Sequence, residues 1–166
     1  MIKLAGLVEE LKISDDMRIH MSKKPFELER RVYSQRIDAK PTGFWYGLGN
    51  EWIDWTRYEM PNWIGKYIYK VDIDKSNILE IKTHRDLMVF NGQYQSLKSV
   101  TGYRREKGEA IDWDVISKKY DGIEINPYQQ EARYQYMWYY GWDIASGCIW
   151  NLNKVKLTLL TDNGIE

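Results

Sequence analysis

The chain has 166 residues, 43% of them apolar, enough for one packed domain. Lys plus Arg and Asp plus Glu balance at 24 each, so net charge supplies no general pull toward duplex nucleic acid. A single cysteine, Cys148, excludes an intramolecular disulfide, and with only two histidines the chain lacks the usual makings of a Cys/His zinc cage. What stands out is eight Trp and thirteen Tyr, apolar bodies whose polar edges need partners. No apolar run approaches a membrane span and the N-terminus lacks a secretory pattern. The expectation is a soluble, cytoplasmic protein with no membrane contact and no metal.

Taken in order, residues 1–14 hold a predicted amphipathic helix, Ile2–Lys12, with Leu4, Leu7, Val8 and Leu11 at helical spacing. Met17–Met21 is strand-like and carries His20, with Ser22 directly after it. Phe26–Ile37 is highly charged, and its Arg30, Arg31 and Arg36 read first as a solvated face. Lys40–Trp55 joins three pieces. Pro41 and Gly43 end what precedes; Phe44, Trp45 and Tyr46 suit a buried strand; Gly47, Gly49 and Asn50 make a turn. Glu51 then opens a helix that ends before Pro61, with Asn50 the predicted N-cap. Trp52 and Trp55, three apart, share a face of it that either packs on a sheet or borders a cleft.

Lys66–Asp74 alternates and is the clearest strand, followed by a short one at Asn77–Ile81. Thr83–Asn91 reads as a helix with Thr83 as N-cap and Asp86 at the capping-box position. Gly92–Glu109 is polar and weakly patterned, a mobile loop or a short surface helix. Ile111–Lys119 is a predicted helix packing Trp113 and Ile116. Tyr120–Pro127 is a strand with Ile123 and Ile125 on one face and Glu124 on the other. Tyr128–Trp142 is strongly aromatic with helical character, and Ala145–Asn153 and Val155–Leu160 are strand-like. The sum is an α+β chain forming a single domain over residues 1–166, without repeats or linkers.

Walker, dinucleotide-fingerprint, zincin and nucleophile-elbow motifs are all missing. Cys148 lies in an apolar strand, where a small buried cysteine is expected rather than a thiol nucleophile. What remains is a spread set: His20, the pair Trp45 and Tyr46, Trp55, and Glu124. Their order resembles ADP-ribosyltransferases of the His-Tyr-Glu type, the poly(ADP-ribose) polymerase and RNA 2′-phosphotransferase branch. His20-Met21-Ser22 matches that family's first motif. Gly43-Phe44-Trp45-Tyr46 resembles the second, with Trp45 where the family usually has Tyr. Trp55 sits near the helix aromatic, and Glu124 matches the catalytic glutamate, with Asp143 in reserve.

The resemblance implies short twisted mixed and antiparallel strands forming a split sheet with a few peripheral helices. It implies NAD as a substrate and ADP-ribosyl transfer to a macromolecular acceptor, protein or nucleic acid. Glu124 and His20 would be catalytic, and His20, Ser22, Gly43, Trp45, Tyr46 and Trp55 would hold NAD. A carboxylate suits this chemistry, because nicotinamide leaves a ribose of oxocarbenium character. The residues alone also allow a non-catalytic module whose aromatic cleft binds a nucleotide, single-stranded nucleic acid or a protein partner. Arg30, Arg31, Arg104 and Arg105 would then meet phosphates. An accessory protein acting through its N-terminal helix is a third reading.

Overall fold

The computed structural model describes residues 11–97 and 108–162. Most of the predicted helix Ile2–Lys12, together with Arg104 and Arg105, lies outside them. The strands are β1 (Arg18–Ser22), β2 (Ile37–Asp38), β3 (Phe44–Leu48), β4 (Tyr67–Ile73), β5 (Ile78–Ile81), β6 (Ile111–Asp112), β7 (Gly122–Ile125), β8 (Ser146–Ile149) and β9 (Val155–Thr161). The helices are α1 (Glu51–Tyr58), α2 (His84–Tyr94), α3 (Trp113–Ser117) and α4 (Met137–Tyr140). Seven strands form one mixed sheet in the order β5-β7-β8-β3-β1-β4-β9, and β2 and β6 make a separate two-stranded sheet. Within the large sheet β5 and β7 run parallel, and the other neighbours are antiparallel. The chain is therefore the α+β domain that its pattern predicts.

Local chemistry accounts for most of the boundaries. Thr83 Oγ1 accepts the Asp86 N–H at 3.1 Å, and the Asp86 carboxylate accepts the Thr83 N–H at 2.9 Å. This reciprocal box satisfies two donors that a helix start otherwise leaves unpaired. The turn before α1 departs from expectation. Gly47 stays in β3, where a side chain would run into Trp52, and Gly49 alone takes the left-handed φ of +56°. Asn50 occupies the N-cap position without a side-chain capping bond. The helix start is instead tied to the sheet by Glu51, whose carboxylate accepts the Ala145 N–H at 2.6 Å. Ile111 and Asp112 are extended rather than helical because they pair with Ile37 and Asp38, and Asp112 then caps α3 through the Val115 N–H. Tyr128–Trp142 breaks into a 3-10 turn, Gln130–Tyr134, and the single turn of α4.

Strand alternation divides the sheet into two faces. Trp45, Cys148 and Ile123 are paired across β3, β8 and β7, on the face that meets the helices. Buried beneath those helices are Trp113, Trp138, Trp142 and Trp150. Tyr46, Gly147 and Glu124 form the next row, on the opposite face. That face is covered by the coil of residues 23–35 through Phe26, Leu28 and Tyr33. Three of the four buried indoles find acceptors for their N–H groups. Trp113 donates to the Asp38 carbonyl, Trp138 to Asn91 Oδ1 and Trp150 to the Tyr120 carbonyl, at 3.0, 2.9 and 2.6 Å. Each bond offsets the cost of taking a donor out of water.

Replacing Thr83 with Ala removes the cap while leaving α2 otherwise intact. Urea denaturation of Thr83→Ala should show a loss of about 1 kcal/mol with an unchanged slope.

Candidate functional site

The first constellation is a buried carboxylate. Glu124 on β7 is only 5% exposed. Arg18 on β1 donates to it from Nε at 2.6 Å and from Nη2 at 3.0 Å, and the Tyr46 hydroxyl donates at 2.7 Å. Lys75 approaches from outside at 3.7 Å and also pairs with Glu80. The geometry depends on Gly147, because a side chain there would collide with the end of the Tyr46 ring. Burial works against the Arg18 charge, but the hydrogen bonds and charge of Glu124 more than offset it, and the guanidinium pKa rises. Burial first, and the Glu124 charge second, hold the Tyr46 hydroxyl well above the ordinary tyrosine range. Sequence reading missed Arg18, although a visible signal existed: residues 18, 20 and 22 share one face of a strand.

His20 is half-buried among four rings. The centroids of Phe44, Phe26, Trp52 and Tyr69 lie 4.5, 4.9, 5.4 and 6.4 Å from its own. The β1–β3 ladder stops after Ile19 and Gly47, and His20 Nδ1 sits 2.8 Å from the Trp45 carbonyl just beyond. A carbonyl only accepts, so Nδ1 carries the proton and Nε2 is the acceptor nitrogen. Burial pushes the imidazole below its ordinary pKa, with the Trp45 carbonyl offsetting part of the shift. Ser22 donates to the Lys24 carbonyl at 2.6 Å. Gly43 packs against the Ile149 backbone and the Cys148 sulfur. Cys148 is buried, and burial holds its thiol protonated well above the ordinary range.

The second constellation is an open cleft of about 250 Å³ on the helix-covered face. Five tryptophans line it: Trp45 from β3, Trp52 and Trp55 from α1, Trp63 from the 3-10 turn Pro61–Trp63, and Trp142 after α4. Trp55 and Trp63 meet edge-on at 6.0 Å, as do Trp45 and Trp142 at 4.9 Å. Among the described residues Lys40 and Asp143 are the charged members of the lining. Lys40 Nζ lies over the Trp45 ring at 5.3 Å. Asp143 is held by Arg133 at 3.1 Å.

The residues singled out from sequence are therefore brought together in part. Trp45, Tyr46, Trp55 and Asp143 border the cleft, and Trp52 links it to His20. The Tyr46 hydroxyl nevertheless ends on Glu124 beneath the opposite face. Glu124 does not converge with Trp45 and Trp55, because adjacent residues of a strand point to opposite sides. Ser22 and Gly43 lie outside the cleft lining. Trp63 and Lys40 were not singled out, since the chain segments that carry them have no periodicity to mark a site.

No protein-family model, curated protein or solved structure matches this chain. Among the described residues no helix is long and apolar enough to cross a membrane, and no three His, Cys, Asp or Glu side chains gather in a metal-binding arrangement.

Two measurements probe the buried groups. Arg18→Met strands the Glu124 carboxylate without its main partner and should cost about 3–5 kcal/mol in chemical denaturation. Arg18→Met combined with Glu124→Leu should recover part of that loss. The pH dependence follows from His20. The unfolded imidazole takes a proton near pH 6.5 while the folded one resists it, so the unfolded state binds more protons below that pH. Stability should therefore fall as pH drops through about 6.5, and His20→Phe should remove that part of the slope in acid titrations followed by circular dichroism.

Proposed function

We propose that this chain is a binding module whose tryptophan cleft takes the flat ring of a base-bearing ligand, without itself doing chemistry on it. The observation that carries this reading is the collection of five indoles around one open volume. Trp63 remains 57% exposed, an apolar ring left in water at the mouth of the cleft. Stacking a base on such a ring is worth about 1–3 kcal/mol. The volume supports the same conclusion: about 250 Å³ suits one ring system rather than a run of stacked bases. The buried carboxylate fits a structural role in this reading, since Arg18 and Tyr46 engage both of its oxygens.

One observation favours a second reading, NAD-dependent ADP-ribosyl transfer to a macromolecular acceptor. Tyr46 borders the cleft and ends on Glu124, while His20 touches both Trp52 and the Trp45 carbonyl. In that reading nicotinamide occupies the cleft, and Glu124 acts only after release from Arg18.

Titration with nucleotides should quench tryptophan fluorescence saturably. Trp63→Ala should weaken binding about fivefold or more while leaving the thermal midpoint in place, because the ring is exposed. Absence of quenching by any base-bearing ligand would remove the first reading. Labelled NAD incubated with the protein and a cell extract should give no transfer; transfer that disappears in a folded Glu124→Gln variant would establish the second.

A further inference from the structure

We propose that Lys40 makes the cleft selective for a planar ring carrying an anionic arm, the chemistry of a nucleoside monophosphate, over the uncharged nucleoside. The proposal rests on the reading of the cleft as a ring-binding site and adds the charge that its occupant bears.

Three features place a usable cation in the wall. The first is position. Lys40 lines the cleft and is exposed, and its Nζ stands over the Trp45 ring. Its stem passes directly over Gly141, where a side chain would press on the Lys40 Cε. The missing Cβ at Gly141 lets the ammonium lie along the wall instead of projecting into solvent.

The second is charge bookkeeping within the cleft. Among the described residues Asp143 is the acid of the lining, and it is already paired with Arg133. Among the described residues Lys40 forms no ion pair, and its contact is the cation–π approach to Trp45. Counting the described lining charges with Arg133, two cations face one carboxylate, and the surplus positive charge is that of Lys40. The side chain as a whole stays exposed, yet the protein beside it displaces part of the water from the ammonium and pushes its pKa below the ordinary lysine value, with Asp143 offsetting part of the shift. A cation so placed interacts with an anion more strongly than one in open water.

The third is the ring of Trp142. Among the described residues the buried Trp142 indole N–H has no hydrogen-bond partner, unlike those of Trp113, Trp138 and Trp150. Trp142 lines the cleft with Lys40, but its N–H is buried, so it offers a ligand ring surface rather than a donor. A flat ring between the indoles, with its anionic arm toward Lys40, matches the cleft in shape and charge; a cationic or neutral ring matches it in shape alone.

The test compares each of the four common nucleosides with its 5′-monophosphate by fluorescence quenching and calorimetry. In the wild-type protein the monophosphate should bind about tenfold tighter than the nucleoside, and the difference should shrink as salt rises. Lys40→Met should bring monophosphate affinity down to that of the nucleoside, and Lys40→Arg should retain the preference. Equal affinity for nucleoside and monophosphate in the wild-type protein would overturn this inference while leaving the cleft a ring-binding site. Failure of every nucleoside and monophosphate to bind would overturn the reading beneath it as well. The wild-type comparison decides the matter even if a Lys40 variant folds poorly.

Discussion

A single buried carboxylate ties the middle strands of the sheet to one another. Glu124 on β7 is reached by Tyr46 from β3 and by Arg18 from β1, so one hydrogen-bonded group spans four adjacent strands. The partners are up to 106 residues apart in the chain. Taking two charges out of water carries a large desolvation cost, and the geometry meets it with a bidentate fork and a phenol donor. The same group limits what the neighbouring residues do. Tyr46 must direct its ring across Gly147 to reach the carboxylate, which commits it to one face of the sheet.

The commitment of Tyr46 determines where a ligand can lie. If position 46 points to one face, position 45 points to the other, and Trp45 is delivered to the helix side. There α1 brings Trp52 and Trp55, the turn after it brings Trp63, and the segment after α4 brings Trp142. Trp142, itself part of the core, and four less buried tryptophans thus ring an open volume. Trp113, Trp138 and Trp150 fill the rest of the space under α2 and α3, with their N–H groups satisfied.

The pattern of apolar residues was sufficient for much of the fold. The alternation of Tyr67–Ile73 and the capping box at Thr83 and Asp86 reappear as β4 and the start of α2, because both depend on residues near one another in the chain. Ile111 and Asp112 were misread for the opposite reason: their strand partner, Ile37–Asp38, lies far away in sequence. The candidate site was legible to a lesser degree. The shared face of Trp52 and Trp55 follows from helical spacing and was visible. Arg18 was overlooked because a charged residue at the start of a strand looks like a solvated one until its acceptor is known.

The sequence by itself determined that this is an aromatic-rich α+β domain with a strand–turn–helix at Phe44–Tyr58, since side-chain periodicity and turn chemistry are local properties. Only the tertiary structure decided which aromatic belongs to which surface. Register between β3, β8 and β7 places Tyr46, Gly147 and Glu124 in one row and Trp45 with Cys148 in the next. That register comes from the long-range pairing of strands, to which no short motif is sensitive. It separates the glutamate from the indoles, and it leaves Lys40, beside Trp45 and Gly141, as the cation facing the cleft.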